Sequence, residues 1–268
     1  MSELKDLNMV VLLKQVPVPK AMKTKADGMM DRSGKSMINP FCNAALEEAL
    51  KLREKVGGNI TVVSMGPPNA KQSLIEAMRK GADKCILVSD RLLAGSDSWA
   101  TALALSTTIK KYLPDTQIVF AGLQTIDGDT AHVGPQVAEH LDFQQVTYVD
   151  KIEVDGEKLK VRRFVEGGWE TFLTPIPVML SVHKSANTPR GPSLSAALRS
   201  SDDKISVVSV EDIGLTKEEV GVAGSPTIVS RVLNVVIERP PVVLFNEGSA
   251  KERVSQLLQA INTKEEAN

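Results

Sequence analysis

In the first half of the chain, short apolar-rich runs alternate with stretches of helical spacing, and that alternation leaves few folds open. Residues 9–13 (MVVLL), 60–65 (ITVVSM), 85–88 (CILV) and 117–122 (QIVFAG) lack the strict in–out alternation of a half-solvated strand. They suit parallel strands buried on both faces. Between them lie helical patterns. Asn39-Pro40 opens the first: Asn accepts N–H bonds at the N-cap, and Pro is preorganised at the first helical position. Ala45, Leu46, Ala49, Leu52 and Val56 then recur at 3–4 spacing, Glu47 and Lys51 support the exposed face at i,i+4, and Gly57-Gly58 ends the helix. Gly66-Pro67-Pro68 is a turn, and a helix over 70–80 closes at Gly81. Gly95-Ser96-Asp97-Ser98 leads into a helix carrying Trp99, Leu103, Ile109 and Tyr112, which Pro114 stops. Residues 137–141 form a short fourth pattern. Strand–helix alternation over roughly 140 residues predicts an α/β protein, with a doubly wound, mostly parallel, Rossmann-like sheet.

Two regions depart from that rhythm. Residues 14–38, rich in Pro, Gly, Lys and Asp, read as a long loop with a small hairpin around Arg32, Ser33 and Gly34. Beyond Gln145, extended runs at 146–154 and 158–165 flank Asp155-Gly156, a two-residue hairpin signal, and 169–174 is a third. These are β-hairpin insertions. Residues 177–182 are apolar enough to rejoin the central sheet. Residues 187–193 (NTPRGPS) break regular structure, 194–199 allow one or two helical turns, and 205–210 form a further strand.

The tail is an extended C-terminal arm. Val229, Val232, Leu233, Val235, Val236, Ile237, Val242, Val243, Leu244 and Phe245 are apolar, and Pro226, Pro240 and Pro241 keep the arm out of a central strand. So much apolar surface calls for burial, either on a partner chain or back over its own domain. Ser249 and Glu252 make a capping box for a helix with Val254, Leu257, Leu258 and Ile261 on one face. The expected division is a nucleotide-binding domain over 1–222 and an arm over 223–268 that packs on a partner.

Acidic and basic residues nearly cancel, 33 against 32 in 268, so the chain lacks the charge footprint for nucleic acid or an anionic membrane. Cys42 and Cys85 show no metal spacing, and His132, His140 and His183 are scattered, so no metal site is expected. The polar start is unlike a signal peptide, and no apolar stretch nears the ~20 residues that cross a bilayer. A cytoplasmic location is expected.

The loop after the 117–122 run is where parallel α/β folds bind phosphates, because the first helical N–H groups lack partners and the helix dipole favours an anion. It comprises Gln124, Thr125, Ile126, Asp127, Gly128, Asp129, Thr130, Ala131, His132, Val133, Gly134 and Pro135. Of Asp127 and Asp129, one suits a ribose hydroxyl and the other a helix cap. An ordinary βα loop with a capping Asp is the alternative. The Gly-x-Gly-x-x-Gly of a dinucleotide dehydrogenase does not follow the first strand. Nor does an ATP-pyrophosphatase phosphate loop; the nearest similar string, Gly95-Ser96-Asp97-Ser98, stands elsewhere.

Several strings, in order along almost the whole chain, resemble the β subunit of electron transfer flavoproteins. They are VVLLKQVP at 10–17, NPFCNAALEEAL at 39–50, GAD at 81–83, the 124–136 loop, EGGWE at 166–170, NTPR at 187–190 and GSPT at 224–227. The resemblance implies a heterodimer with a larger, FAD-carrying α subunit, and an adenine nucleotide in this chain. By match, its site would include Leu12, Asn39, Pro40, Phe41, Cys42, Met65 and the 124–135 loop. A loop near His183–Arg199 would face a dehydrogenase; the family has Asn-Glu-Pro-Arg where this chain has Thr188, which leaves the choice of dehydrogenase open.

Ordinary members hold AMP in this subunit; bifurcating members hold a second FAD that takes a hydride, an electron pair, from NADH. AGSDSWAT at 94–101, the 127–135 stretch and VGVAGSPT at 220–227 resemble the bifurcating branch, although Gln is usual where His132 stands, and NPFC at 39–42 is the ordinary form. For FAD, a second phosphate would use the helix start at Ser96, Ser98 and Thr101. AMP, or an adenine-nucleotide-binding scaffold without redox role, are the alternatives.

Overall fold

The computed structural model describes residues 4–18, 23–24, 30–31, 34–229 and 242–265. In chain order it holds β1 (Leu7–Leu12), β2 (Gln15–Pro17), β3 (Lys23–Thr24), β4 (Met30–Asp31), β5 (Ser36–Ile38) and α1 (Pro40–Val56). Next come β6 (Gly58–Met65), α2 (Lys71–Lys80), β7 (Lys84–Val88), α3 (Ser98–Tyr112), β8 (Ile118–Gly122) and α4 (Val133–Leu141). β9 (Gln144–Asp155), β10 (Lys158–Val165) and β11 (Gly168–Thr174) precede β12 (Val178–Val182), α5 (Leu194–Arg199), β13 (Ile205–Val208) and α6 (Ala250–Glu265).

The main sheet has nine strands in the order β11-β10-β9-β12-β8-β1-β6-β7-β13. Every neighbouring pair from β9 to β13 is parallel, and β10 and β11 are added antiparallel beyond β9. Apolar runs without alternation form the middle because both sheet faces are covered. In β1, Met9 and Val11 join the core with Leu46 and Leu50 of α1 and Leu74 and Met78 of α2. Val10 and Leu12 join the other core, with Leu105 and Ile109 of α3 and Val137 and Ala138 of α4. Each fully buried Leu or Val of this kind contributes about 1.5–3 kcal/mol.

From β1 the chain steps outward to β6 and β7, then returns to place β8 on the other flank of β1. The reversal makes a topological switch point between β1 and β8. Ligands of open α/β sheets bind outside the carboxyl ends of the strands at such a point.

The structure corrects several boundaries. Residues 14–38 are not one loop: β2 pairs with β5, setting Val16 against Met37, and β3 pairs with β4. The expected hairpin tip at Arg32 and Ser33 lies outside the described residues. Strands of two or three residues are too short to leave a periodic signal. Helix α4 begins at Val133, a full turn before the expected 137. Pro135 falls in its first turn, where a missing N–H costs nothing because that N–H has no intrahelical acceptor. The last parallel strand ends at Val208 rather than 210. Glu47 does not pair with Lys51 on a solvent face; Lys51 bonds Glu48 at 3.0 Å, and Glu47 is buried.

Contacts divide the chain into two units, residues 1–230 and 231–268. In the second, the capping box forms: Ser249 N and Oγ donate to Glu252 Oε2 at 2.6 and 2.8 Å, and Glu252 N donates to Ser249 Oγ at 3.4 Å. Val254, Leu257, Leu258 and Ile261 of α6 are exposed, as are Val242, Val243 and Leu244 before it. Val232, Leu233, Val235, Val236 and Ile237 lie outside the described residues. Among the described residues no helix is long and apolar enough to cross a membrane.

Candidate functional site

Three connections meet at the carboxyl edge around the switch point: the end of β1, the first turn of α1, and the β8–α4 loop. Asn39 fastens them. It stands at the N-cap of α1, yet its side chain makes no cap bond. Instead Nδ2 donates to Gln124 O at 2.8 Å, and Oδ1 accepts from Ile126 N at 3.2 Å. A completely buried amide thus ties the helix start to a loop some 85 positions away. Nδ2 also lies 3.2 Å from Cys42 Sγ, and burial pushes the Cys42 thiol above its ordinary value. The thiol is a packing element beneath the rim.

The β8–α4 loop has an unusual backbone. Asp129 and Ala131 adopt left-handed conformations, with φ of 55° and 57°. Such conformations cost of order 1 kcal/mol each for residues with a side chain, and they concentrate at ligand-binding turns. Alternation of left- and right-handed residues turns successive N–H groups toward one side, the concave arrangement that receives anions. Among the described residues, no protein acceptor takes the amides of Thr130, Ala131, His132, Val133 or Gly134. Neither aspartate caps α4, contrary to expectation: His132 holds the cap position and makes no side-chain bond. Asp127 accepts from Lys14 Nζ at 2.9 Å, and Asp129 accepts from Gln124 Nε2. Both carboxylates brace the loop from within the chain.

Leu12 and Phe41 are buried, so they act as walls behind the rim, while Pro40 and Met65 are half-buried. Thr125 and Ile126 are half-buried, and Gly128, Thr130 and His132 are exposed. A cleft lined by Lys14, Gln15, Pro17, Met65, Gly66 and Pro67 continues from the ends of β1 and β6. A second hollow, at Asn8, Asp115, Gln117 and Pro177, lies at the amino ends of the strands. Parallel sheets do not place their ligands there.

Two contributors escaped the sequence reading. One is Lys14, the partner of Asp127. The other is Gly122, the last residue of β8. A Cβ on Gly122 would meet Cys42 N at 2.6 Å and Phe41 C at 2.7 Å, so only glycine lets α1 come this close. A glycine closing an apolar strand just before the loop was the available signal.

The start of α3 belongs to the same edge, following β7, but it is partly committed. Ser96 Oγ donates to Leu93 O at 2.8 Å and accepts from Gly221 N at 3.0 Å. Asp97 caps the helix by accepting from Ala100 N at 3.1 Å. Ser98 and Thr101 are half-buried at i,i+3, and among the described residues no hydrogen bond commits their hydroxyls.

The 183–199 segment is anchored to α1. Asn187 Nδ2 donates to Ala44 O and Glu48 Oε1, both at 2.9 Å. Arg190 binds Glu47 through its backbone N, Nε and Nη2 at 3.0, 2.9 and 3.0 Å, and Nη1 reaches Glu54. The Arg190 pairing holds the Glu54 carboxyl below its usual range. Rings of Phe41 and Phe164 meet His183 edge-on at 5.8 and 5.3 Å. Beyond this anchor, α5 projects Leu194 and Leu198, each 79% exposed.

Comparison with known proteins adds independent findings. Residues 27–213 match the model of the electron transfer flavoprotein domain. The chain is 43% identical over 261 residues to the electron transfer flavoprotein subunit beta of Thermoanaerobacterium thermosaccharolyticum, covering 96% of this chain and 99% of that one. It is 45% identical over 227 residues to the subunit of the same name from Clostridium acetobutylicum, covering 84% and 87%. It is also 40% identical over 228 residues to the caffeyl-CoA reductase-Etf complex subunit CarD of Acetobacterium woodii, covering 84% and 87%.

Proposed function

The chain belongs to the electron transfer flavoprotein family as a β subunit, and from that premise we propose that its switch-point crevice holds the adenylate part of FAD. The family associates with flavin or nucleotide. The observation that carries the reading is the β8–α4 loop. Asn39 locks it from α1, two residues take left-handed backbone, and a run of amides meets no acceptor among the described residues. That donor set fits a phosphate. Asn39, Pro40, Phe41, Cys42, Leu12 and Met65 form the wall, and the 124–135 loop supplies the amides. Ser98 and Thr101 flank the second phosphate.

A bound flavin would supply the redox chemistry, taking two electrons as one hydride and releasing them singly. The residues of this chain orient it and exclude water; they supply no acid or base. In this reading the subunit pairs with an electron transfer flavoprotein α subunit through residues 223–268. It meets a dehydrogenase through the loop near His183–Arg199, and draws electrons from NADH for bifurcation between two acceptors. The CarD relative, whose name places it in a complex with a CoA-ester reductase, supports a partner of that class.

AMP is the second reading, favoured by one observation: Asp97 already takes an amide at the start of α3, which reduces what a second phosphate would find there. Purification with the α subunit, denaturation, and counting of released nucleotide separates the two. Two FAD per heterodimer is the expected result, with NADH alone bleaching the flavin absorbance. One FAD with one AMP establishes the carrier without bifurcation, and absence of both nucleotides from this chain overturns the reading altogether.

A further inference from the structure

The start of α3 is clamped by a segment more than a hundred residues downstream. Asp97 Oδ2 accepts from both Thr227 N at 3.0 Å and Thr227 Oγ1 at 2.7 Å. Asp97 N donates to Ser225 Oγ at 2.8 Å, and Ser225 Oγ in turn donates to Gly221 O at 2.6 Å. Gly221 N donates to Ser96 Oγ at 3.0 Å. The fit is close enough to demand glycine: Gly221 has φ of 62°, and a Cβ there would lie 2.1 Å from Leu92 O. Residues 221–227 join no strand and no helix. What they do in the described structure is hold the 92–97 turn.

That turn sets where the first residues of α3 stand on the carboxyl edge. Asp97 divides its carboxylate between capping α3 and gripping Thr227, one oxygen to each. The grip therefore fixes the orientation of the cap, and with it the positions of Ser98 and Thr101. On the adenylate-site reading, AMP would end at the β8–α4 loop, and only the second phosphate of a dinucleotide would reach this corner.

We propose that the Asp97–Thr227–Ser225 latch is a positioning device that gives this subunit its preference for a dinucleotide over AMP. The inference rests on the adenylate-site reading above, and the experiment keeps the two apart. Heterodimer carrying Thr227→Val, Ser225→Ala or Thr227→Ser is stripped of the nucleotide in this chain and titrated separately with FAD and AMP. Losing the hydroxyl donor to Asp97 weakens FAD binding about tenfold, the equivalent of one hydrogen bond to a charged group, while AMP binding changes less than about twofold. Thr227→Ser keeps the hydroxyl and restores FAD binding to within about twofold of the parent. Ser225→Ala loses a neutral acceptor and gives a smaller effect in the same direction, which serves where Thr227→Val fails to assemble. Equal weakening of FAD and AMP, or no change in FAD, overturns the latch proposal. A parent heterodimer that binds AMP no better than buffer removes the adenylate site itself, whatever the variants do.

Discussion

At Gly122 the main chain of β8 passes so close to the first turn of α1 that a methyl group has no place to go. Its neighbours there are backbone atoms, Cys42 N and Phe41 C, which cannot swing aside as a side chain end can. Gly122→Ala is expected to cost about 1–3 kcal/mol, the usual penalty of overpacking. It pushes Asn39 away from Gln124 O and Ile126 N, so nucleotide retention falls with stability. Urea unfolding, read beside nucleotide content, checks both; an unchanged midpoint would mean that α1 is seated less tightly than described. At this scale the sequence was partly readable. Asn39-Pro40 announced a helix start by its chemistry, and that start is where it was expected. The bonds Asn39 makes instead of a cap were invisible, since its partners come from a loop three strands later in the chain.

Helix α1 works as a beam with a function at each end. Its first turn forms the crevice wall, and its middle carries Glu47 and Glu48, which hold the 187–190 segment. Arg190→Lys keeps the charge but loses the planar fork that engages Glu47 through Nε and Nη2. Leaving a buried carboxylate part-satisfied costs about 1–3 kcal/mol. Hydrogen exchange should accelerate over residues 187–199 while the amides of β1 and β8 keep their protection; uniform acceleration would show that the anchor supports the whole unit. The same pair marks where element reading stops. Helical periodicity locates the face that packs on the sheet, and Ala45, Leu46, Ala49 and Leu52 are buried as read. It says nothing of a loop arriving 143 positions later to cover the opposite face, so Glu47 passed for a solvent residue. Long apolar runs gave legible strands, the two- and three-residue ribbons at 14–38 did not, and Pro135 disguised the true start of α4.

For the molecule as a whole, the exposed stripe of α6 is the feature that asks for company. Val254, Leu257, Leu258 and Ile261 face outward on a helix well capped at its start. Leu258→Glu puts a charge in that stripe and is expected to weaken association with the α subunit at least thirtyfold, the effect of losing one interface hot spot of about 2 kcal/mol. Size-exclusion of the mixed subunits reads it directly, with circular dichroism of the isolated chain unchanged; an intact heterodimer would move the interface elsewhere.

The order of strands across the sheet has a consequence for how the chain is made. β12 lies between β8 and β9, yet it is encoded after the whole β9–β10–β11 excursion. As the nascent chain leaves the ribosome, β8 emerges with one edge bare, and β9 arrives with no neighbour to bind it into the sheet. Both wait for residue 182, roughly 3–12 seconds at ordinary translation rates. A naked parallel edge invites wrong pairing. The price of setting β12 between β8 and β9 is a newborn protein that needs shelter until its last central strand slides home.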